Sequence, residues 1–246
     1  MMKMAGKDEV EKFLATTKFS GYQSVPLPYG LAVPGRDRSP TADHVLGDRV
    51  KGKSILDVGA YYGYFTYEAK RRGATLATGI EANRERYEIA KQIAGLHGNI
   101  YNILQGRIED IECDDKYDIV LFMNVLHHII DPIHVMHKLH SLCRETLIIE
   151  FCLVDDPAYL IFICAGSNPP RFRDSIKAHL RAFILRYCTK GLPMIAVGNR
   201  EYDYAFYFTR EAFYNLFVIH HKLFKSIEFL PSRTNAPRVV AICQVA

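Results

Sequence analysis

Ile55-Leu56-Asp57-Val58-Gly59-Ala60-Tyr61-Tyr62-Gly63-Tyr64-Phe65-Thr66 is the stretch that decides the fold. A short apolar run ends in Asp-Val-Gly, a second glycine follows four residues on, and a helical pattern opens directly after it. An apolar run of that length reads as a buried parallel strand. Gly59 and Gly63 suit a tight turn that needs positions without a Cβ. The helix that follows aims the unpaired N–H groups of its first turn, and the positive end of its dipole, at whatever lies over the turn. The spacing therefore predicts a nucleotide-like cofactor there.

The next landmark is Thr75-Leu76-Ala77-Thr78-Gly79-Ile80-Glu81, an apolar stretch that ends in an acid 24 residues after Asp57. A carboxylate at the end of the second strand, roughly 20 residues past a glycine turn, is placed to accept both hydroxyls of an adenosine ribose. Dinucleotides and S-adenosylmethionine share that layout. The turn here is Gly-Ala-Tyr-Tyr-Gly, however, and the bulk of Tyr61 and Tyr62 would crowd a pyrophosphate that needs close backbone approach. A zwitterionic methionine tail makes no such demand.

Further along come Leu104-Gln105-Gly106-Arg107-Ile108-Glu109-Asp110 and then Tyr117-Asp118-Ile119-Val120-Leu121-Phe122-Met123-Asn124-Val125-Leu126-His127-His128-Ile129-Ile130-Asp131-Pro132. With these, the order of segments across about residues 50–155 resembles the class I S-adenosylmethionine-dependent methyltransferases. The resemblance implies a doubly wound, seven-stranded Rossmann-like sheet of α/β class, to which this chain's own pattern adds an N-terminal arm and an inserted helical cap. It implies S-adenosylmethionine as cofactor, leaving as S-adenosylhomocysteine, with no metal. Asp57 would order the turn and hold the methionine ammonium, and Gly59, Ala60, Tyr61 and Gly63 would supply backbone contact. Glu81 and Ala82 would meet the ribose, Arg107, Ile108 and Glu109 the adenine, and Met123 and Asn124 the sulfonium.

Composition fits one enlarged domain of 246 residues, mildly basic at a net charge of +4 and a pI near 8.6. That balance permits an anionic acceptor without demanding one. The six cysteines have no C-x-x-C spacing and sit mostly in apolar runs, which reads as reduced thiols in a cytoplasmic protein. The start carries interspersed charge rather than a targeting segment, and no apolar run approaches the ~20 residues of a membrane span, so no membrane partner is expected.

The chain divides by pattern into an N-terminal helix and arm, 1–41, and a catalytic domain, 42–246. The arm holds four prolines and three glycines between residues 18 and 41 yet keeps Tyr22, Leu27, Tyr29, Leu31 and Val33, so it must pack, and the cofactor cleft is the nearest large groove. Tyr29 and Arg36 are its candidate substrate contacts. Helices are expected at 7–17, from 41 or 42 to about 50, at 84–96 and at 133–142, the last behind an Asp131 cap and Pro132. After the fifth strand, residues 155–203 form an insertion far longer than the usual ~2–6-residue connection. Its helix, 174–187, sets Lys177, Arg181 and Arg186 beside Ile176, Leu180, Phe183 and Ile184. It reads either as a solvated amphipathic face or as a substrate cap that presents His179 or arginine to an anionic group. Tyr202 and Tyr204 could line the acceptor pocket or serve packing. Residues 226–230 and 238–245 are the expected closing antiparallel pair.

Leu27-Pro28-Tyr29-Gly30-Leu31-Ala32-Val33-Pro34-Gly35, together with Met123–His128 and Asp131-Pro132, looks like the bacterial tRNA wobble-uridine 5-oxyacetic acid methyltransferase group and its small-molecule relatives. That group transfers a carboxymethyl group from a carboxylated S-adenosylmethionine. It places tyrosine where this chain has His127, and an arm lysine where residues 26–34 offer none. An added carboxylate would need that cation, so ordinary S-adenosylmethionine is the expected donor. An alcohol, phenol or amine acceptor calls for a base near neutral pH, and His127 and His128 are the candidates. The expected activity is methyl transfer to oxygen or nitrogen of a small molecule. A tRNA-modifying methyl or carboxymethyl transferase and a non-catalytic cofactor-binding partner protein are the alternatives.

Overall fold

The computed structural model describes residues 4–112, 115–153, 206–233 and 238–246, with scattered positions between 176 and 197. The chain forms two compact units, residues 1–123 with 138–148 and residues 124–137 with 149–246.

The first unit opens with α1 (Lys7–Thr16), whose Val10 and Phe13 lie one helical turn apart and are both buried. The arm follows as a short hairpin, β1 (Val25–Pro26) against β2 (Ala32–Val33), with Val25 opposite Val33. After α2 (Ser39–Val45) the alternating part begins: β3 (Ser54–Val58), α3 (Tyr64–Arg71), β4 (Leu76–Glu81), α4 (Arg84–Leu96), β5 (Asn102–Gln105) and β6 (Tyr117–Met123). β3 pairs in parallel with both β4 and β6, and β4 with β5. Ile55, Leu56, Asp57 and Val58 are all buried, as befits a central strand covered on both faces, and this is why the run does not alternate. α4 occupies the expected residues because Asn83 caps it, its side chain accepting from the Arg86 N–H at 3.0 Å.

α5 (Pro132–Ser141) and β7 (Cys143–Cys152) run from one unit into the other. In the second unit β8 (Ile195–Val197) and β9 (Phe206–Phe208) make an antiparallel pair. Then come α6 (Arg210–Tyr214), a π-helical stretch Asn215–His220, and the antiparallel β10 (Phe224–Pro231) and β11 (Arg238–Val245). Thr209 caps α6, its Oγ1 accepting from the Ala212 N–H at 3.1 Å. Phe151 stacks on Phe213 at 4.6 Å, and Phe208 and Phe217 meet Phe213 edge-on, giving this unit an aromatic core.

The large sheet has seven strands in the order β10-β11-β7-β6-β3-β4-β5. The chain leaves β3 toward β4 and β5 and then returns to β6 on the other flank. That reversal makes the carboxyl end of β3 the topological switch point, where open α/β sheets bind ligands.

The seven-stranded α/β sheet is thus the one the sequence predicts, with local differences. The helix expected from 41 or 42 to about 50 runs instead from Ser39 to Val45, because Pro40 suits a helix start and Gly47, at φ 47°, suits the stop. The β8–β9 pair and the π-helical stretch are additions. Most of the expected cap, 155–203, lies outside the described residues, as do Tyr202 and Tyr204.

Candidate active site

The site is built where β3 and β4 end. Asp57 is buried, and its Oδ2 accepts from the Thr66 backbone N–H at 3.1 Å and from the Thr66 hydroxyl at 2.7 Å. One carboxylate thereby fixes the first turn of α3. Burial pushes its pKa up to about 7, the bonds from Thr66 working the other way and the nearby Glu81 charge adding to the rise.

Between Asp57 and α3 the backbone makes a sharp reversal. Gly59 takes φ 76°, and the N–H groups of Gly59 and Ala60 both donate to the Ile80 carbonyl, at 2.8 and 2.9 Å. Tyr61 is left-handed at φ 57°, a cost of roughly 1–2 kcal/mol for a bulky residue. Glu81 offsets that cost: its Oε2 accepts from the Tyr61 N–H at 2.8 Å while Oε1 accepts from the Asn83 N–H at 2.9 Å. Each oxygen keeps a lone pair. Gly63, at φ 82°, opens α3.

Close packing under the turn depends on Gly79 of β4. A Cβ there would stand 2.7 Å from Thr66 Oγ1, 2.8 Å from Ile103 Cδ1 and 2.9 Å from Ala60 Cβ. Beyond β5, the Gly106 N–H donates to the Glu81 carbonyl at 3.1 Å, which ties the next loop to the end of β4. In that loop Ile108 is buried, and Arg107 pairs with Glu109 at 3.0 Å. Ala82 is exposed beside Glu81, and Met123 is buried at the end of β6.

The arm reaches this turn. Ser20 hydrogen-bonds through Oγ to the Tyr61 hydroxyl, Tyr22 lies 4.7 Å from the Tyr61 ring, and Phe19 meets Tyr62 edge-on at 6.1 Å. Arg86 of α4 sits over the Tyr61 ring at 4.8 Å. Tyr61 is therefore held from both sides. The expected arm contacts do not come to it: the Tyr29 hydroxyl donates to the Ala5 carbonyl at 2.9 Å, and Arg36 is exposed. The buried arm cation is Arg38, only 3% exposed, with its guanidinium 5.4 Å over Phe65. Ser20, Thr66, Arg38 and Arg86 were not singled out by the sequence. A buried arginine directly before a helix leaves no periodic signal.

In the second unit, Asn124 is left-handed at φ 65° and its N–H donates to the Glu150 carbonyl at 2.8 Å. It starts the turn Leu126–His128. His127 is buried, its pKa pushed down to about 2 by burial and by the charges of His128 and Arg238. His128 is exposed, its ring 4.2 Å from that of His127. Glu150 is fully buried on β7 and accepts from the Ser232 hydroxyl at 2.6 Å. His179 is exposed. Among the described residues no group of three or more His, Cys, Asp or Glu is placed to hold a metal ion.

The sequence matches a family model described as a methyltransferase domain over residues 37–217. It is 33% identical over 99 residues to the ubiquinone biosynthesis O-methyltransferase of Haemophilus ducreyi, which covers 38% of this chain and 42% of that protein. It is 30% identical over 122 residues to the tRNA U34 carboxymethyltransferase of Dichelobacter nodosus, covering 48% of this chain and 38% of that protein. The matches thus span less than half the length of both relatives. Among solved structures, the N-terminal domain of EvdMO1, determined with SAH and D-fucose, aligns at a TM-score of 0.64 and 16% identity over 99% of this chain and 98% of that one. Magnesium protoporphyrin IX methyltransferase of Synechocystis PCC 6803 aligns at 0.56 and 16% over 84% and 83%. Likeness at that identity is likeness of fold.

Proposed function

The chain belongs to the methyltransferase-domain family, and on that premise we propose that it moves a methyl group from S-adenosylmethionine to an oxygen or nitrogen of a small molecule. The observation that carries the reading is the pair of buried acids at one turn, Asp57 holding Thr66 and Glu81 holding Tyr61. The donor set suits this cofactor. Asp57 is a carboxyl raised by burial, which a primary ammonium would return to its anionic form. Glu81 has a free lone pair on each oxygen for two vicinal hydroxyls. Ile108 offers an apolar contact for a base.

When bound, the cofactor supplies a methyl carbon activated by its sulfonium. The chain's own share is orientation and proton handling. Asp57 and Glu81 fix the ends of the ligand against a turn that is already rigid, so little ordering is left for the moment of reaction. The arm shields the turn from water through Phe19, Ser20 and Tyr22. His128, the exposed member of its pair, takes the proton from the acceptor, while His127 stays neutral and supports its neighbour's ring.

The Haemophilus ducreyi relative is by name an O-methyltransferase, which favours oxygen as the accepting atom. The buried thiols Cys143, Cys152 and Cys243, in no disulfide, suit a reducing compartment such as the cytoplasm. A tRNA acceptor is the second reading, favoured by the match to a tRNA-modifying enzyme across 48% of this chain. Incubation with methyl-labelled cofactor and separate RNA and metabolite extracts divides the two. Label in small molecules supports the first reading, label in RNA the second, and cofactor binding without transfer to either removes both.

A further inference from the structure

The strongest surface feature unused by this chemistry is the helix of the insertion. Its described positions, Ile176, Lys177, His179, Leu180, Phe183, Ile184 and Tyr187, are helical. The five apolar side chains among them are 51–83% exposed. At the 3.6-residue period of a helix, their positions in the sequence fall within an arc of about 100°. Soluble proteins scatter exposed apolar residues singly, and exposed Ile, Leu, Phe, Ile and Tyr at helical spacing mean something has to cover them.

Charge says what. Residues 171–190 hold six Lys or Arg and one acid, a net of +5 in a chain whose total is +4. Lys177 and His179 border the apolar arc on either side. Exposed apolar side chains within a strongly basic stretch are the pattern of a helix lying in a bilayer interface, its apolar side chains below the headgroups and its lysines and arginines among anionic phosphates. RNA would use the bases but leave Leu180 and Phe183 in water. A second copy of the chain would bring +5 against +5.

We propose that this helix docks the protein on the surface of an anionic lipid bilayer. The contact is peripheral, in keeping with the finding that no described helix is long and apolar enough to cross a membrane. It is independent of the methyl-transfer reading, because its readout is binding to lipid.

The chain has no tryptophan, so Phe183→Trp places a single indole on the proposed face. Emission of this variant is expected to shift to the blue with vesicles of phosphatidylcholine mixed with phosphatidylglycerol. Pure phosphatidylcholine should give little shift, and salt should reverse it as the charges are screened. Cosedimentation of the wild-type chain with the anionic vesicles is expected to fall at least about tenfold in Leu180→Ser/Ile184→Ser, with an unchanged thermal midpoint. Three results would overturn the proposal: an unshifted indole with anionic vesicles, equal sedimentation of the double variant, or retention by a transfer RNA pool without retention by vesicles. A dimer that the double variant abolishes, in a chain that ignores vesicles, would assign the face to self-association instead.

Discussion

At the scale of single residues, Asp57 makes the site sensitive to pH. Its carboxyl is raised by burial from 3.8 to about 7, so between those values the unfolded chain has lost a proton that the folded chain keeps. Stability therefore falls as pH rises through that window and is flat above it, for a total of about 4 kcal/mol. Urea unfolding at about pH 5 and pH 8 should show a smaller loss in Asp57→Asn than in the wild type. An ammonium beside Asp57 reverses the shift, so binding of S-adenosylmethionine near pH 6 is expected to release close to one proton. Calorimetry in two buffers of different ionisation heat reads that number, and a value near zero would separate Asp57 from the ammonium. The histidines divide in the same way. His127, buried and held neutral, should when changed to Asn lower the thermal midpoint and leave the pH–rate profile of the surviving enzyme in place. His128→Asn should lower kcat by about 10²–10⁴ with cofactor affinity unchanged, and should remove the acid limb of that profile. Near-normal turnover in His128→Asn would leave orientation alone to account for the rate.

Among the elements, the arm and the α3–β4 contact position the site. The arm fully buries Val10, Val25 and Val33, so cutting it away would cost core packing as well as its contacts with the turn. The double variant Ser20→Ala/Tyr22→Ala is the cleaner test, since it loosens the grip on Tyr61 and leaves the buried valines in place. Loss of one aromatic pair and one hydrogen bond, about 1–2 kcal/mol, should weaken cofactor binding roughly five- to thirtyfold in calorimetry. Unchanged affinity would make the arm packing material. Gly79→Ala should be felt throughout the turn, because its Cβ would have to displace Thr66, Ile103 and Ala60 together. A loss of about 1–3 kcal/mol in chemical denaturation is expected. β4 is legible in its apolar run and its terminal acid, but this glycine is not, because its need for closeness comes from α3 and β5 rather than from its neighbours in the chain.

For the molecule as a whole, β7 carries Cys143 and Cys152 at its two ends, and Cys243 lies on β11; all three are buried thiols outside any disulfide. Burial pushes Cys143 up to about 11, so it has almost no thiolate at neutral pH. Alkylation mapped by peptide should find these three unmodified in the native chain and modified together across the denaturant transition, because one strand joins both units. Labelling of Cys152 and Cys243 well before Cys143 would show that the second unit opens by itself. The sequence alone determined the strand–turn–helix order, the acid at the end of each of the first two sheet strands, the cap at Asp131, and hence the switch point. Those features are written in local patterns: apolar runs, periods of two or 3.6, and short polar side chains before helices. Only the tertiary structure decided that Glu81 spends one lone pair of each oxygen on the backbone. It also decided that Arg38 rather than Arg36 is buried, that Tyr22 rather than Tyr29 meets the turn, and that His127 lies inside while His128 faces water. Each of those choices depends on which distant segment fills the space beside a residue, and burial, unlike periodicity, is set by contacts between residues far apart in the chain.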